Sequence, residues 1–551
     1  MPSPYDHLDR ESLIRLLQRR DADRSLGLVW EREGVEMDCA LNDDYVAMSL
    51  DPELSHGGGP WHNLIIEGDN FDALRALRTS HKEQVRCIYI DPPYNTLKKD
   101  FVYNDRFVDK THRFRHSLWL EFMYQRLTIA RDLLSEDGVI MASIDDHEVF
   151  RLGMLLDRVF GEENKAGVVV WKNVTDNNPS RVATEHEYVL VYMKDKSSCP
   201  AVWKSPDLAV KSTMLEKERE LLAAYEDPES LQAAYSAWFR EVKDQLQPLD
   251  NYKFIDRGGI YAGSRSVHNP GREGYRYDVL HDVTGMPCKQ PLMGYRFPEN
   301  TMRDLLRDGR ILFGANETKL IELKIYLRDY QQKLSSVIML DGRAGANELR
   351  DIFPGTGKVF NNPKPVELLS NLLSFVTSGD DLVLDFFAGS GSTAQAVQEL
   401  NRADRQSRRY ILISSTEATN EEPDKNLCRD VCAERVRRVT AEGFAYMRTR
   451  RIAKHRLTMK LDHAEIWNAL QLLHERAVSP WSGYGLSVDG DMSYLSDFSE
   501  PSLSLLTEWR AIVNESAATL YSWSPERAKA LLPDTVRCQP IPQYLRDRFG
   551  R

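Results

Sequence analysis

Ile90-Asp91-Pro92-Pro93-Tyr94-Asn95 sets an acid, two prolines and an aromatic ring directly after the apolar run Val85-Arg86-Cys87-Ile88-Tyr89-Ile90. That run reads as a buried strand stopped by proline. Each proline fixes φ near about −65° and lacks an N–H, so carbonyls around the turn stay free to accept. A carboxylate, an unpaired carbonyl and a π-face together suit a planar amine, with two acceptors for its hydrogens and a ring to stack on. The exocyclic amine of a nucleobase fits that description. Asp91 and the Pro92 carbonyl are the candidate acceptors, Pro93 stiffens the turn, and Tyr94 is the candidate stacking ring. The plain alternative is an ordinary strand-ending turn.

Far downstream, Leu382-Val383-Leu384-Asp385-Phe386-Phe387-Ala388-Gly389-Ser390-Gly391-Ser392-Thr393 reads as a second strand whose glycine turn opens a helix. Such a turn lets backbone approach a ligand closely, and the helix N-terminus favours a carboxylate. Alone it could equally serve to pack a helix on a strand. After the next strand, Tyr410-Ile411-Leu412-Ile413, the first acid is Glu417, the candidate for ribose hydroxyls by analogy with other nucleoside-binding sheets.

Taken together, the two motifs resemble the beta class of DNA amino-methyltransferases. These use S-adenosylmethionine and carry Asp-Pro-Pro-Tyr ahead of a Phe-x-Gly-x-Gly loop, with a long insert between. The resemblance implies an α/β, Rossmann-like S-adenosylmethionine-dependent methyltransferase sheet, an inserted target-recognition domain and a separate C-terminal region. It implies that Asp385 takes the cofactor's ammonium and that Phe387, Gly389 and Gly391 line its methionine part. Lys364, in Val359-Phe360-Asn361-Asn362-Pro363-Lys364-Pro365, would meet the cofactor carboxylate. Asp69 and Asn70, in Asn63-Leu64-Ile65-Ile66-Glu67-Gly68-Asp69-Asn70, would lie near its adenine. Thr184-Glu185-His186-Glu187-Tyr188 is also similar to a family segment. The target amine implied is adenine N6 rather than cytosine N4, because enzymes for the latter more often present serine at the Asp91 position.

Asn251-Tyr252-Lys253-Phe254, Gly274-Tyr275-Arg276-Tyr277, Gly294-Tyr295-Arg296-Phe297-Pro298 and Leu26-Gly27-Leu28-Val29-Trp30-Glu31 resemble the Mod subunits of Type III restriction-modification systems. That likeness implies double-stranded DNA as substrate, a homodimer in which one protomer reads while the other methylates, and a possible restriction (Res) subunit. One departure is Leu97, where relatives commonly have glycine. The alternatives are a DNA-recognition subunit that mainly directs a partner nuclease or motor, and a solitary methylase.

The elements that must position these residues divide the sequence into five segments. Residues 1–60 read as a polar, helix-prone arm, and 61–199 as the catalytic half with alternating strands and helices. Residues 200–340 read as the target-recognition insert, 341–445 as the cofactor-binding half, and 446–551 as a C-terminal domain, a candidate dimerisation element. Trp119, Met123, Leu127, Ala130 and Leu134 predict an amphipathic helix. In the insert, Tyr252, Lys253, Arg257, Arg265, Arg272 and Arg276 interleave basic and aromatic groups, suited to phosphates and guanine edges. A polar-surfaced β-rich domain is the competing reading. Arg435, Arg437, Arg438, Arg448, Arg450 and Arg451 would add backbone attraction or solvate helices.

The chain has 551 residues, enough for about two to four domains, and its net charge of −11 excludes a uniformly basic coat. Its seven cysteines are scattered, with no metal-ligand spacing, so no metal is expected. With no membrane-length apolar run or secretory signal in view, a cytoplasmic location is expected. Gly355-Thr356-Gly357-Lys358 falls short of a phosphate loop, because Ile352 and Val359 stand where glycine and Ser/Thr are needed. His112 and His116 are spaced for one helix face but lack a third ligand, and read as DNA-facing or structural.

Overall fold

Alternating β-rich runs and amphipathic helices build one ten-stranded sheet. The computed structural model describes residues 10, 14, 45–96, 102–103, 106–107, 115–174, 181–205, 209–243, 246, 249–269, 271–357, 359–417, 424–440, 442–452, 461–513 and 517–549. The sheet strands are β1 (Tyr45–His56), β2 (Leu64–Glu67), β3 (Val85–Ile90), β4 (Leu134–Ile144), β5 (Lys165–Lys172), β6 (His186–Met193), β7 (Val337–Met339), β8 (Leu382–Asp385), β9 (Arg409–Ser414) and β10 (Phe444–Ile452). Their helices are α1 (Asn70–Leu77), α2 (Arg115–Leu133), α3 (Val149–Phe160), α4 (Arg343–Ile352), α5 (Val366–Ser374) and α6 (Ser392–Asp404). The spatial order is β1-β10-β2-β9-β8-β3-β4-β6-β5-β7.

From β10 to β4 the strands run parallel. Strand β6 is antiparallel to β4 and to β5, and β1 is antiparallel to β10. Helices on the faces bury the central strands on both sides, which is why Leu64-Ile65-Ile66 and Val139-Ile140-Met141-Ala142 are continuous apolar runs with every side chain buried. Helix α2 lays Trp119, Met123, Leu127 and Ala130 into that core. Leu134, expected on the same helix, instead opens β4 and pairs with Val85.

Three expected boundaries move. Residues 45–56 of the expected arm are strand β1 of the sheet; Leu26–Glu31 and most of the arm lie outside the described residues. Residues 335–340, given to the insert by composition, contain β7, which pairs with β5. The boundary at 445/446 falls inside β10, whose Phe444-Ala445-Tyr446-Met447 half is buried between β1 and β2. Arg448 then pairs with Asp51 and Glu67, and Arg451 with Asp72, so these arginines serve the sheet. Beyond β10, helix His463–Leu473 and a four-stranded sheet (Leu486–Asp489, Met492–Leu495, Ala518–Ser522, Val536–Pro540) follow. Trp61 and Val478 exchange backbone hydrogen bonds of 2.9 and 2.7 Å and tie this region to the turn before β2.

Residues 202–334 make a second compact unit. Its helices Ala209–Ala224 and Pro228–Val242 pack on a four-stranded antiparallel sheet, with Met214, Leu231, Tyr235, Tyr252, Ile260 and Leu327 in the core. A second core gathers Val267, Val279, Tyr295, Met302 and Ile321. No described helix is long and apolar enough to cross a membrane.

Candidate active site

Parallel strands release their following loops at one edge, so the carboxyl ends of β2, β8 and β3 deliver Asp69-Asn70, the glycine turn and Asp91–Asn95 to one place. Asn70 Nδ2 donates to the Phe386 carbonyl (2.9 Å), stitching the β2 loop to the glycine turn. Asp69 caps α1, accepting from the Phe71 and Asp72 amides at 2.9 and 3.3 Å. Arg126 of α2 secures both residues: its Nε donates to Asn70 Oδ1 (2.5 Å) and its Nη2 lies 3.3 Å from Asp69 Oδ2. The two are brought to the predicted site, and their polar atoms also hold its walls together.

Gly389 and Gly391 both adopt left-handed backbone, with φ of 50° and 80°. A Cβ on Gly389 would meet Phe360 Cζ at 2.8 Å, and one on Gly391 would meet the Cys432 carbonyl at 3.1 Å. The turn therefore needs glycine for its own packing as well as for ligand approach. Asp385 is almost fully buried and closes the turn: it accepts from the Phe387 amide (3.0 Å) and from Thr393 Oγ1 (2.5 Å). Burial pushes its carboxyl up to about 7. Beneath the turn Arg435, fully buried, donates to Ser390 Oγ (3.2 Å), Ser392 Oγ (2.7 Å) and Gln395 Oε1 (3.0 Å). Burial lowers its guanidinium to about 10. Arg435 is thus an internal brace, and the expected surface role is corrected. The turn offers a buried carboxyl, left-handed glycine backbone and the N-terminus of α6, a donor and acceptor set that fits an amino-acid-bearing cofactor.

At the end of β3 the Tyr94 hydroxyl lies 2.8 Å from Asp91 Oδ1 and 2.9 Å from Glu187 Oε2. Lys364 Nζ reaches the same three groups: Asp91 Oδ1 at 3.0 Å, Glu187 Oε2 at 2.9 Å and Tyr94 OH at 2.8 Å. Asn173 Nδ2 donates to the other Glu187 oxygen at 2.8 Å. Burial raises the Asp91 carboxyl; Lys364 opposes this and Glu187 adds to it. Burial disfavours the Lys364 ammonium, yet Asp91 and Glu187 more than offset that and raise its pKa. The turn is braced from behind. Trp119 Nε1 donates to the Pro93 carbonyl at 2.7 Å. Asn95, left-handed at φ 58°, donates to fully buried Glu148 at 2.6 Å, and His116 Nδ1 lies 2.5 Å from the same oxygen. His116 is therefore tied to this brace, while His112 and Leu97 lie outside the described residues.

Several other expected residues are engaged within the fold. Lys364, expected at the cofactor carboxylate, has its ammonium on Asp91, Glu187 and the Tyr94 hydroxyl. Glu417 has left-handed backbone and pairs with Lys425 at 3.1 Å, an exposed ion pair beyond β9. In the second unit Tyr252 is buried in the core against Tyr330, so it is not a surface contact. Lys253, Arg257, Arg265, Arg272 and Arg276 are exposed on that unit. Cys428 and Cys432 are buried core thiols; Cys39 and Lys358 lie outside the described residues, and no metal-binding cluster occurs among those described. Sequence reading missed the roles of Glu187, Arg126, Trp119, Glu148 and Arg435. Glu187 had a signal, an acid inside the Thr184–Tyr188 segment two residues into β6. The others signal only as polar or indole groups set among apolar neighbours.

The DNA methylase family profile matches residues 85–421. The chain is 48% identical over 385 residues to the Type III restriction-modification enzyme EcoP15I Mod subunit of Escherichia coli, covering 66% of this chain and 60% of that protein. It is 31% identical to the StyLTI Mod subunit of Salmonella typhimurium (69% and 57%) and 31% identical to the EcoPI Mod subunit of Escherichia phage P1 (65% and 58%). It thus spans about 60% of the length of these relatives. With the profile spanning both the Asp-Pro-Pro-Tyr turn and the glycine turn, and with those two turns side by side at one sheet edge, this chain belongs to the DNA methylase family.

Proposed function

We propose that this chain is a site-specific DNA methyltransferase that modifies adenine N6, the modification subunit of a Type III restriction-modification system. The observation that carries the chemistry is the adjacency of Asp91 and Tyr94 to the glycine turn across neighbouring strands β3 and β8. The likeness to three Type III Mod subunits supports the assignment of system, and the acid Asp91, where cytosine-N4 enzymes more often present serine, supports adenine as the target. On this reading double-stranded DNA is the substrate, a Res subunit the partner, and a homodimer the working form. The exposed Lys253, Arg257, Arg265, Arg272 and Arg276 of the second unit contact DNA.

A duplex hides exocyclic amines, so the target base is flipped out to reach this edge. Tyr94 stacks on the base. Asp91 and the Pro92 carbonyl accept the amine hydrogens, drawing its nitrogen lone pair out of conjugation and toward the methyl donor. The glycine turn would hold S-adenosylmethionine, which supplies the methyl group when bound. Asp385 would pair with its ammonium, Gly389, Gly391 and Phe387 would line its methionine arm, and Asp69 with Asn70 would border its adenine. Holding the reactants in line contributes about 7–11 kcal/mol, and one well-placed acceptor about 3 kcal/mol. Asp91 Oδ1 is placed to receive the proton that the methylated nitrogen gives up.

Asp91→Ala is expected to lower methyl transfer from tritiated cofactor at least about a hundredfold in a chain that still folds by its melting curve. Undiminished transfer would overturn the mechanism. Long-read sequencing of DNA from a host expressing the chain reads out the modified base and its context.

A further inference from the structure

We propose that Lys364 is a placeholder for the target amine: its ammonium fills the acceptor cluster of Asp91, Tyr94 and Glu187 until a flipped base displaces it. Glu187 then keeps the Tyr94 hydroxyl, leaving Asp91 Oδ1 to the amine. The inference rests on the methyltransferase reading and adds to it a self-occupied ground state.

The geometry is that of one nitrogen serving a site built for another. A lysine ammonium has three N–H groups, and the structure spends them on Asp91 Oδ1 (3.0 Å), Glu187 Oε2 (2.9 Å) and Tyr94 OH (2.8 Å). The Tyr94 hydroxyl has a single proton, which goes to Asp91 or Glu187, and its lone pair accepts from Lys364. Lys364 also lies 5.0 Å from the centroid of the Tyr94 ring, the ring proposed to stack on the base. A base amine entering this edge thus meets Asp91 Oδ1 already engaged.

Only the lysine stem is free to yield. Its backbone lies between Pro363 and Pro365 and is clamped by α4: a Cβ on Gly345 would come within 2.1 Å of the Pro363 carbonyl, and Glu348 accepts from the Val366 amide at 3.2 Å. A flexible four-carbon stem on a fixed backbone can leave and return. When it leaves, Asp91 and Glu187 face each other across Tyr94 without a cation. Asp385 on β8 and Tyr89 on β3 also interact with Asp91, and neither brings positive charge. Two close carboxylates without a counter-ion hold a proton more tightly, which hinders amine binding at low pH. The ammonium keeps Asp91 ionised until the base arrives.

The test uses the full chain, plasmid DNA from a methylation-free host and saturating cofactor. In Lys364→Ala the vacated ammonium site takes methylammonium. Methylammonium chloride is expected to inhibit this variant several-fold more than sodium chloride at equal ionic strength, relieved by more DNA and not by more cofactor. The unaltered chain is expected to be insensitive. In Lys364→Met, which keeps the stem's packing and serves if the alanine variant does not fold, the acid limb of the rate profile is expected to move up by one pH unit or more. Adding Glu187→Gln is expected to bring it back. Equal amine sensitivity in both chains with an unmoved limb would overturn the placeholder, as would a folded, cofactor-binding variant inactive at every pH. No transfer by the unaltered chain would overturn the functional reading and the placeholder with it; transfer without these signatures overturns the placeholder alone.

Discussion

At the scale of single residues, the site is a set of acids, from half-buried Asp91 and Glu187 to buried Asp385, whose protonation states decide what they can hold. Asp385 is the clearest case, because burial raises its carboxyl to about 7 from an ordinary 3.8. A raised folded-state value means that the neutral form is the favoured one in the fold. Its contribution to stability is complete below about 3.8 and is lost as pH rises through about 7, at up to about 1.4 kcal/mol per pH unit. Binding runs the other way, since only the ionised carboxylate pairs with an ammonium. The affinity for S-adenosylmethionine is therefore expected to tighten as pH rises to about 7, up to about tenfold per unit, to level off above that, and to weaken where the α-amino group loses its own proton at about 8. Asp385→Asn should flatten both trends, and calorimetry with melting curves at three pH values checks this. A variant with the same pH slopes as the unaltered chain would remove Asp385 from that role. The identities of Asp91, Tyr94, Asp385 and the two glycines were legible because each motif pairs a residue type with a strand end. Glu187 and Lys364 were not legible as partners, since 177 residues separate them and only the sheet closes that gap.

At the scale of elements, the catalytic turn is stiff because helices hold it as well as prolines. Trp119 was legible as a core residue from its helical spacing, and it is fully buried on α2 as expected. That its indole N–H also holds the Pro93 carbonyl was not legible, because periodicity reports which face is apolar and not what the polar rim of a core ring touches. Glu148 was invisible for a related reason: a charged residue at a helix start looks solvated until Asn95 and His116 are found on it. The consequence is that turn geometry depends on α2. Trp119→Phe keeps an apolar ring and loses one hydrogen bond, worth about 0.5–1.5 kcal/mol with a further cost for the unpaired carbonyl. We expect kcat to fall by about five- to thirty-fold with cofactor affinity unchanged, because the glycine turn lies on a different strand. Single-turnover transfer and calorimetry on one preparation check the split. Loss of cofactor binding in step with kcat would mean that Trp119 supports the whole edge.

At the scale of the molecule, composition located the insert and missed how the ends of the chain close the sheet. Residues 200–340 stand out because strand-helix alternation stops there, and the second compact unit runs from 202 to 334. Strand β10 was hidden by its arginines: three basic residues after a short apolar run read as a solvated tail, yet Arg448 pairs with Asp51 and Glu67 and Arg451 with Asp72. Those acids lie about 380 residues earlier, beyond any local pattern. This division carries a prediction about specificity. The two cores of the second unit are built from its own residues, so exchanging 202–334 for the matching segment of a Mod relative leaves the ten-stranded sheet and both catalytic turns intact. Chemistry stays with the sheet, and the exposed Lys253, Arg257, Arg265, Arg272 and Arg276 leave with the exchanged unit. Base contacts specify while phosphate contacts position, so the chimera is expected to methylate the donor's sequence at a rate within about tenfold of the parent. Sequencing of modified bases in a host expressing the chimera gives the answer. An active chimera that keeps the parent's site would place recognition on the sheet-bearing unit, and the exposed basic residues of the insert would then be left to non-specific attraction.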